Sequence, residues 1–455
     1  MRWTEDAVKS LLNRVIKSSP ADDTEVIFSA QNYGLTRFAA NIIHQNMSEE
    51  NALISIRVAV DNKIGSYAIN QMDETILKAG VLKAIDIAKL SQTKPQFQGF
   101  APKAEVIPLS QPVFNALTHE AGPTERADRV EILVKELAPY GFEGAGSVRN
   151  GTFTKAVATQ RGQSVFQEET LYKAVTVVNR CGQAGFGTGY AESMGRKLGD
   201  FDAQALAREA RSISEKNHDP SAIENGAYTV ILTPVAVGEL LHYLSWMGLH
   251  ARAVQSGQSF LTGKKGQRVL SEHLTLVDDA HDPRTLSIPF DWEGVPKQRV
   301  SMIENGITGD MVYDSFTALH DQVASTGHAL SPLRDRYYSS PLPTHLIIAP
   351  GQESMDEMIA DTPHGLLITR FWYVREIHFG RATVTGMTRD GTFEIQNGRI
   401  SQALHNLRFT QSLVDAFSQI LSVGDQQKLV NQFNGAFLVP ALKIENFNIV
   451  GSSTF

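Results

Sequence analysis

The segment "VGELLHYLSWMGLHARA" (237–253) places two histidines, His242 and His250, on an apolar run beside the Gly- and Lys-rich loop "GQSFLTGKKGQR". Hydrolytic zinc held on a helix needs two histidines one turn apart and a glutamate to activate water. At a rise of ~1.5 Å per residue, His242 and His250 stand about 12 Å apart along the axis. One metal cannot bind both while the helix stays intact. On an ideal helix Val237, Leu240, Leu241, Leu244 and Gly248 form one stripe. His242 falls on a second face with Val235, Glu239 and Trp246. Read from these residues alone, His242 is a buried, hydrogen-bonded histidine rather than a ligand.

Three further stretches invite chemistry and are read more plainly. In "CGQAGFGTGYA" (181–191), Gly185, Gly187 and Gly189 recur with period two and no helix opens behind them, so a dinucleotide fingerprint is not met. Glycines on one face of a strand mark instead the close approach of another backbone or a ligand. "GQSFLTGKKGQR" misses the phosphate-loop spacing, and Lys265 stands where the hydroxyl for Mg²⁺ belongs. His119-Glu120 has no second histidine, and Pro123 ends any helix there.

The elements that must position these residues fall into three units. Residues 1–93 read as an α+β unit. It has an opening helix near Thr4, then strands "EVIFSA" and "LTRFAANIIHQ". A hairpin turns at Asp61-Asn62-Lys63, and a helix is N-capped by Asp73. Residues 94–112, rich in proline and without periodicity, read as a linker. Residues 113–217 form a second α+β unit with a hairpin signal at Asn150-Gly151. Residues 225–455 form a β-rich unit. In it strand "YTVIL" enters the histidine helix, with Thr233 as N-cap and Pro234 at the first helical position, and Asp390-Gly391 marks a later turn. The fold class is α+β: N-terminal α/β segments followed by a large β-rich domain.

Composition narrows the function. The chain has 455 residues, 42% hydrophobic and 20% charged, as an ordinary globular protein does. It shows no apolar run of ~18 residues for a membrane span and no signal-peptide pattern. The single cysteine, Cys181, excludes an intrachain disulfide and a Cys-based structural zinc site, and suits a reducing cytoplasm. A formal net charge of −7 offers no basic footprint, so direct binding of nucleic acid is not expected.

After the histidine helix come "SFLTGKKGQRVLSEHLTLVDD", "IPFDWEGVPKQRVSMIENGITGDMVYDSFTAL", "PLPTHLIIAPG" and "VPALKIENFNIVG". In that order and spacing the chain resembles the TldD/PmbA family, once described as modulators of DNA gyrase and now regarded as peptidases. The resemblance covers the third unit well and the first more loosely. It implies two kinds of member. The TldD kind carries His-Glu-x-x-x-His on this helix plus a thiolate from near the C-terminus, and is similar to zinc peptidases that admit unfolded peptides. The PmbA (TldE) kind shares the fold without those ligands and pairs with the first.

Laid on the motif, "LLHYLSWMG" puts His242 on the first histidine, Tyr243 on the glutamate and Met247 on the second histidine. No cysteine lies in the C-terminal unit. The phenol of Tyr243, with an ordinary pKa of ~10, is a poor base for zinc-bound water, and a thioether is a weak zinc ligand. "GLLITRFWYVREIHFGRATVTGMTRDGTF" also resembles the PmbA kind. The resemblance therefore implies a non-catalytic subunit with no cofactor of its own. Zinc sits in a TldD-type partner, and an unfolded or extended peptide is held by β-augmentation. Gly185, Gly187, Gly189, Arg370, Trp372 and Tyr373 are the candidate substrate-binding residues. A homodimer is also allowed. Two rival readings stand beside this one. The first is a stand-alone metallopeptidase with an atypical site drawn from His242, Glu239, His328, His364 and His378. The second is a regulator of DNA gyrase or topoisomerase acting through protein contacts.

Overall fold

Alternation of apolar and polar side chains builds the first half of the chain, and in the computed structural model it produces a single sheet. The structure describes residues 2–182, 187–332 and 341–453. Strands β1 (Asp23–Ala39), β2 (Ile42–Val60), β3 (Lys63–Ile69), β4 (Phe142–Thr159), β5 (Ser164–Arg180) and β6 (Gly189–Gly195) lie in the order β3-β2-β1-β4-β5-β6, all antiparallel. Helices α1 (Glu5–Ser18) and α2 (Glu74–Leu90) cover one core on it. After α3 (Ala116–Glu120), helices α4 (Pro123–Leu137) and α5 (Ala203–Lys216) cover a second. Each fully buried Val, Leu or Phe in these cores contributes roughly 1.5–3 kcal/mol.

The local signals near the start hold. Asp73 accepts hydrogen bonds from the backbone of Thr75 and Ile76. Asp61 and Asn62 both take positive φ, as a two-residue primed turn requires. Thr4 precedes α1 without a side-chain cap.

Two expectations are corrected. The units before and after residues 94–112 share one sheet, because β1 pairs with β4 from Glu25↔Thr159 to Phe38↔Gly146. The segment between them lies against that sheet. Phe100 and Ala101 are buried, Phe100 N donates to Asp23, and Thr159 donates to the Ala101 carbonyl. Asn150-Gly151 is likewise no turn: β4 runs straight through it, and the chain reverses at Gln160–Gln163. The Asn150 side chain is engaged elsewhere, donating to the carbonyls of Thr118 and Ala121 and accepting from Arg126. Gly151 is required because a Cβ there would run into Tyr33 on β1. Tertiary contacts override turn propensity at this dipeptide.

The C-terminal unit is a branched sheet built on one long strand. After β7 (Gly226–Leu232) comes helix α6 (Pro234–Gly248). Then follow β8 (Leu276–Asp278), β9 (Val300–Glu304), β10 (Ile307–Thr308), β11 (Leu346–Ile348), β12 (His364–Ile368), β13 (Phe371–His378), β14 (Thr383–Thr388), β15 (Thr392–Gln396), β16 (Arg399–Ala403), β17 (Asn406–Ser412), β18 (Ile420–Gln432) and β19 (Gly435–Ser453). The main path runs β10-β9-β8-β11-β19-β7-β12-β15-β16. A branch β13-β14-β17 and strand β18 join it at β19. Asp390 and Gly391, both at positive φ, turn β14 into β15.

The largest core lies around α6, which is buried on nearly every side. A helix apolar all round belongs inside a domain rather than on its surface. The unit docks on the N-terminal sheet through Phe290, which packs on Ile27, Val157 and Val165. The Lys155 ammonium also donates to the Phe290 carbonyl at 2.6 Å.

Candidate functional site

Helix α6 starts where its sequence signals place it, with Pro234 in the first turn. Thr233 donates to the Thr369 carbonyl instead of capping the helix. The three motif positions are each engaged. His242 is buried and its Nδ1 lies 2.7 Å from Asn434 Oδ1. Asn434 in turn donates through Nδ2 to the Pro343 carbonyl, which orients Oδ1 toward the imidazole. His242 Nδ1 therefore carries the proton. The Tyr243 hydroxyl donates to the Val374 carbonyl on β13, and its ring meets His242 and Trp246 edge-on. Met247 is fully buried in the main core.

This donor set does not fit zinc. It offers a single imidazole, bonded through Nδ1 to an amide, while the phenol is tied to a backbone carbonyl and the thioether is sealed among apolar side chains. Among the described residues, no group of three His, Cys, Asp or Glu is placed to hold a metal ion. The other histidines are spread across the fold. His250 caps the short helix after α6, accepting from Ala253 N at Nδ1 and donating from Nε2 to the Trp246 carbonyl. Burial lowers its pKa to about 4, so it is neutral there. His328 lies between Asp278 and Thr326, His364 beside Glu394, and His378 caps a turn at Phe379–Arg381.

A cleft of about 430 Å³ opens beside the first two turns of α6. It lies between β5 and β6 of the N-terminal sheet and β13 and β18 of the C-terminal unit. Arg370, Trp372 and Tyr373, named from the sequence, all line it. Arg370 donates to Asp390 at 2.6 Å, and its guanidinium stacks over Tyr190 at 3.9 Å and Trp372 at 4.9 Å. Asp390 also accepts from Thr188, so the turn from β14 to β15 ties the two halves of the molecule together. Tyr373 is exposed and takes φ +52°, a left-handed conformation costly for a bulky residue, at an irregularity in β13. Among the described strands β13 pairs only with β14.

The glycines separate from this group. Gly185 lies outside the described residues. Gly187, at φ +58°, precedes β6 rather than continuing it. A Cβ on Gly187 would overlap the Asn217 carbonyl, and one on Gly189 the Ala210 carbonyl. Both make room for the backbone of α5 and its end. The sequence reading missed Glu192 and Lys173 in the cleft. Glu192 accepts from Tyr190 and from Asn431 N. The spacing Tyr190-x-Glu192, which puts two polar side chains on one face of a strand, was the available signal.

A β-rich C-terminal domain wrapped around a buried helix, carried on an antiparallel N-terminal sheet, defines a class of two-part protein with known relatives. Residues 225–451 match the model of the PmbA/TldA metallopeptidase C-terminal domain. The chain is 23% identical to metalloprotease PmbA of Escherichia coli O157:H7 over 454 residues, 97% of this chain and 95% of that protein. It is 28% identical to the metalloprotease TldD homolog of Haemophilus influenzae over 238 residues, 51% of this chain and 48% of the relative. Among solved structures, TldE from Thermococcus kodakarensis has the same fold, with a TM-score of 0.87 at 20% identity over 98% of this chain and 100% of that one. The chain belongs to the TldD/PmbA family. Among the described residues no helix is long and apolar enough to cross a membrane.

Proposed function

We propose that this protein is a PmbA/TldE-type subunit that does not hydrolyse peptides itself. It associates with a TldD-type zinc peptidase and holds extended, unfolded peptide for it. The observation that carries this reading is the state of α6. His242, Tyr243 and Met247 spend their side chains on Asn434, on the Val374 carbonyl and on the core. The cleft supports the peptide role. Among the described strands its wall β13 pairs with β14 alone, which leaves its other side to take an added strand, and a peptide gripped through its backbone is held with little regard to sequence.

The test is metal analysis of the purified chain, followed by hydrolysis of an unfolded peptide with and without a TldD-type partner. The expected result is no stoichiometric zinc in this chain, with cleavage confined to the mixture. Zinc-dependent cleavage by the chain alone, abolished by His242→Ala, would overturn the reading. So would a mixture that cleaves no better than the partner alone and shows no association.

A further inference from the structure

The cleft contains one carboxylate that the protein leaves unsatisfied. Glu239 stands on α6 one turn before His242, part-buried in the cleft wall, and no hydrogen bond or ion pair engages it among the described residues. Its neighbours are engaged elsewhere. Arg370 donates to Asp390, and Arg375 donates to the Val374 carbonyl at 2.8 Å. The other carboxylate, Glu192, is satisfied by Tyr190 and Asn431. Lys173 also faces the cleft, and the carboxylate acting on it is Glu192. Burial raises the Glu239 carboxyl above its usual range, Glu192 adds to that, and Arg370 and Arg375 offset it only in part.

A carboxylate partly withdrawn from water calls for a counter-charge. A hard divalent cation needs about six oxygen ligands, and Glu239 is the one carboxylate here without a partner. A planar guanidinium would seek the aromatic slot between Tyr190 and Trp372, which Arg370 already fills. A compact cation with three donors meets neither obstacle. We infer that Glu239 receives the primary ammonium group of a bound peptide, from its amino terminus or from a lysine side chain. The inference rests on the peptide-holding role proposed above and assigns that role a chemical preference.

The test measures binding of three fluorescent-labelled hexapeptides to the full chain. They are Ala-Gly-Ser-Ala-Gly-Ser with a free amino terminus, the same peptide N-acetylated, and an N-acetylated peptide carrying one lysine, each labelled at its carboxyl end. The free or the lysine peptide is expected to bind at least tenfold tighter than the acetylated lysine-free one, and which of them does so identifies the source of the ammonium. Glu239→Gln is expected to erase that difference. Equal binding of all three peptides to the natural chain overturns the inference but leaves the peptide-holding role intact, and this arm needs no variant. A preference that persists in a folded Glu239→Gln protein overturns it too. Failure of every peptide to bind overturns the peptide-holding role and the ammonium site together.

Discussion

Restoring the missing motif side chains is the sharpest challenge to the reading of α6, and the structure sets its cost. Consider the double substitution Tyr243→Glu with Met247→His. Removing the phenol loses one hydrogen bond to Val374, worth about 0.5–1.5 kcal/mol. The penalty stays in that range because Arg375 still donates to the same carbonyl. Losing the edge-on contacts with His242 and Trp246 removes about 0.5–1.5 kcal/mol per ring pair. Met247 has no exposed surface, so an imidazole there adds about 1–3 kcal/mol for an unsatisfied buried polar group. The total is about 2.5–7.5 kcal/mol of lost stability before any metal binds. The urea midpoint with and without zinc measures it, together with zinc content by mass spectrometry. A double variant that keeps its midpoint and takes up one zinc per chain would show that this face of α6 is an open site, refuting the argument from packing.

Three further outcomes follow from the same geometry. His250 accepts a backbone hydrogen bond only while neutral. Its folded pKa of about 4 lies below the ordinary ~6.5, so its contribution is present above pH ~6.5 and is lost as pH falls toward 4. The slope is about 1.4 kcal/mol per pH unit, and His250→Asn, a residue that caps without titrating there, should flatten it in urea melts at pH 5 and 7.5. Asp278 accepts from His328, from Thr344 N and from His345 N, and lies 3.9 Å from the buried Lys297 ammonium. Asp278→Asn strands that ammonium and is expected to cost about 3–5 kcal/mol, read as a large fall in urea midpoint. Gly189→Ala pushes a methyl into the Ala210 carbonyl and should cost about 1–3 kcal/mol in thermal or urea melts, whether or not peptide is present. An unchanged midpoint with weakened peptide binding would return Gly189 to the ligand site.

Several features were legible from neighbouring residues alone, because their causes are local. Asp73 caps α2 through its own side chain, Asp61-Asn62 accept positive φ, and Pro234 suits a first helical turn. The order of strands and turns in the C-terminal unit, and the resemblance it carries, belong to the same kind. The retained histidine at 242 and the departures at 243 and 247 could likewise be read directly, since a motif is a statement about residue types at a spacing.

Partnership across the chain could not be read that way. Asn150-Gly151 has the composition of a turn, yet residues 29–32 positions away decide otherwise: the Asn150 amide reaches back to Thr118 and Ala121. Tyr243 could be recognised as a poor base, but only the fold shows its hydroxyl holding the edge of β13, more than a hundred residues on. The cleft is the strongest case, because β6, α6, β13 and β18 each supply part of it and none encodes the others. Propensity and motif act over a few residues and are written in order along the chain. Burial, pairing and a shared cleft are set by which distant surfaces exclude water together, and that is decided only when the chain closes on itself.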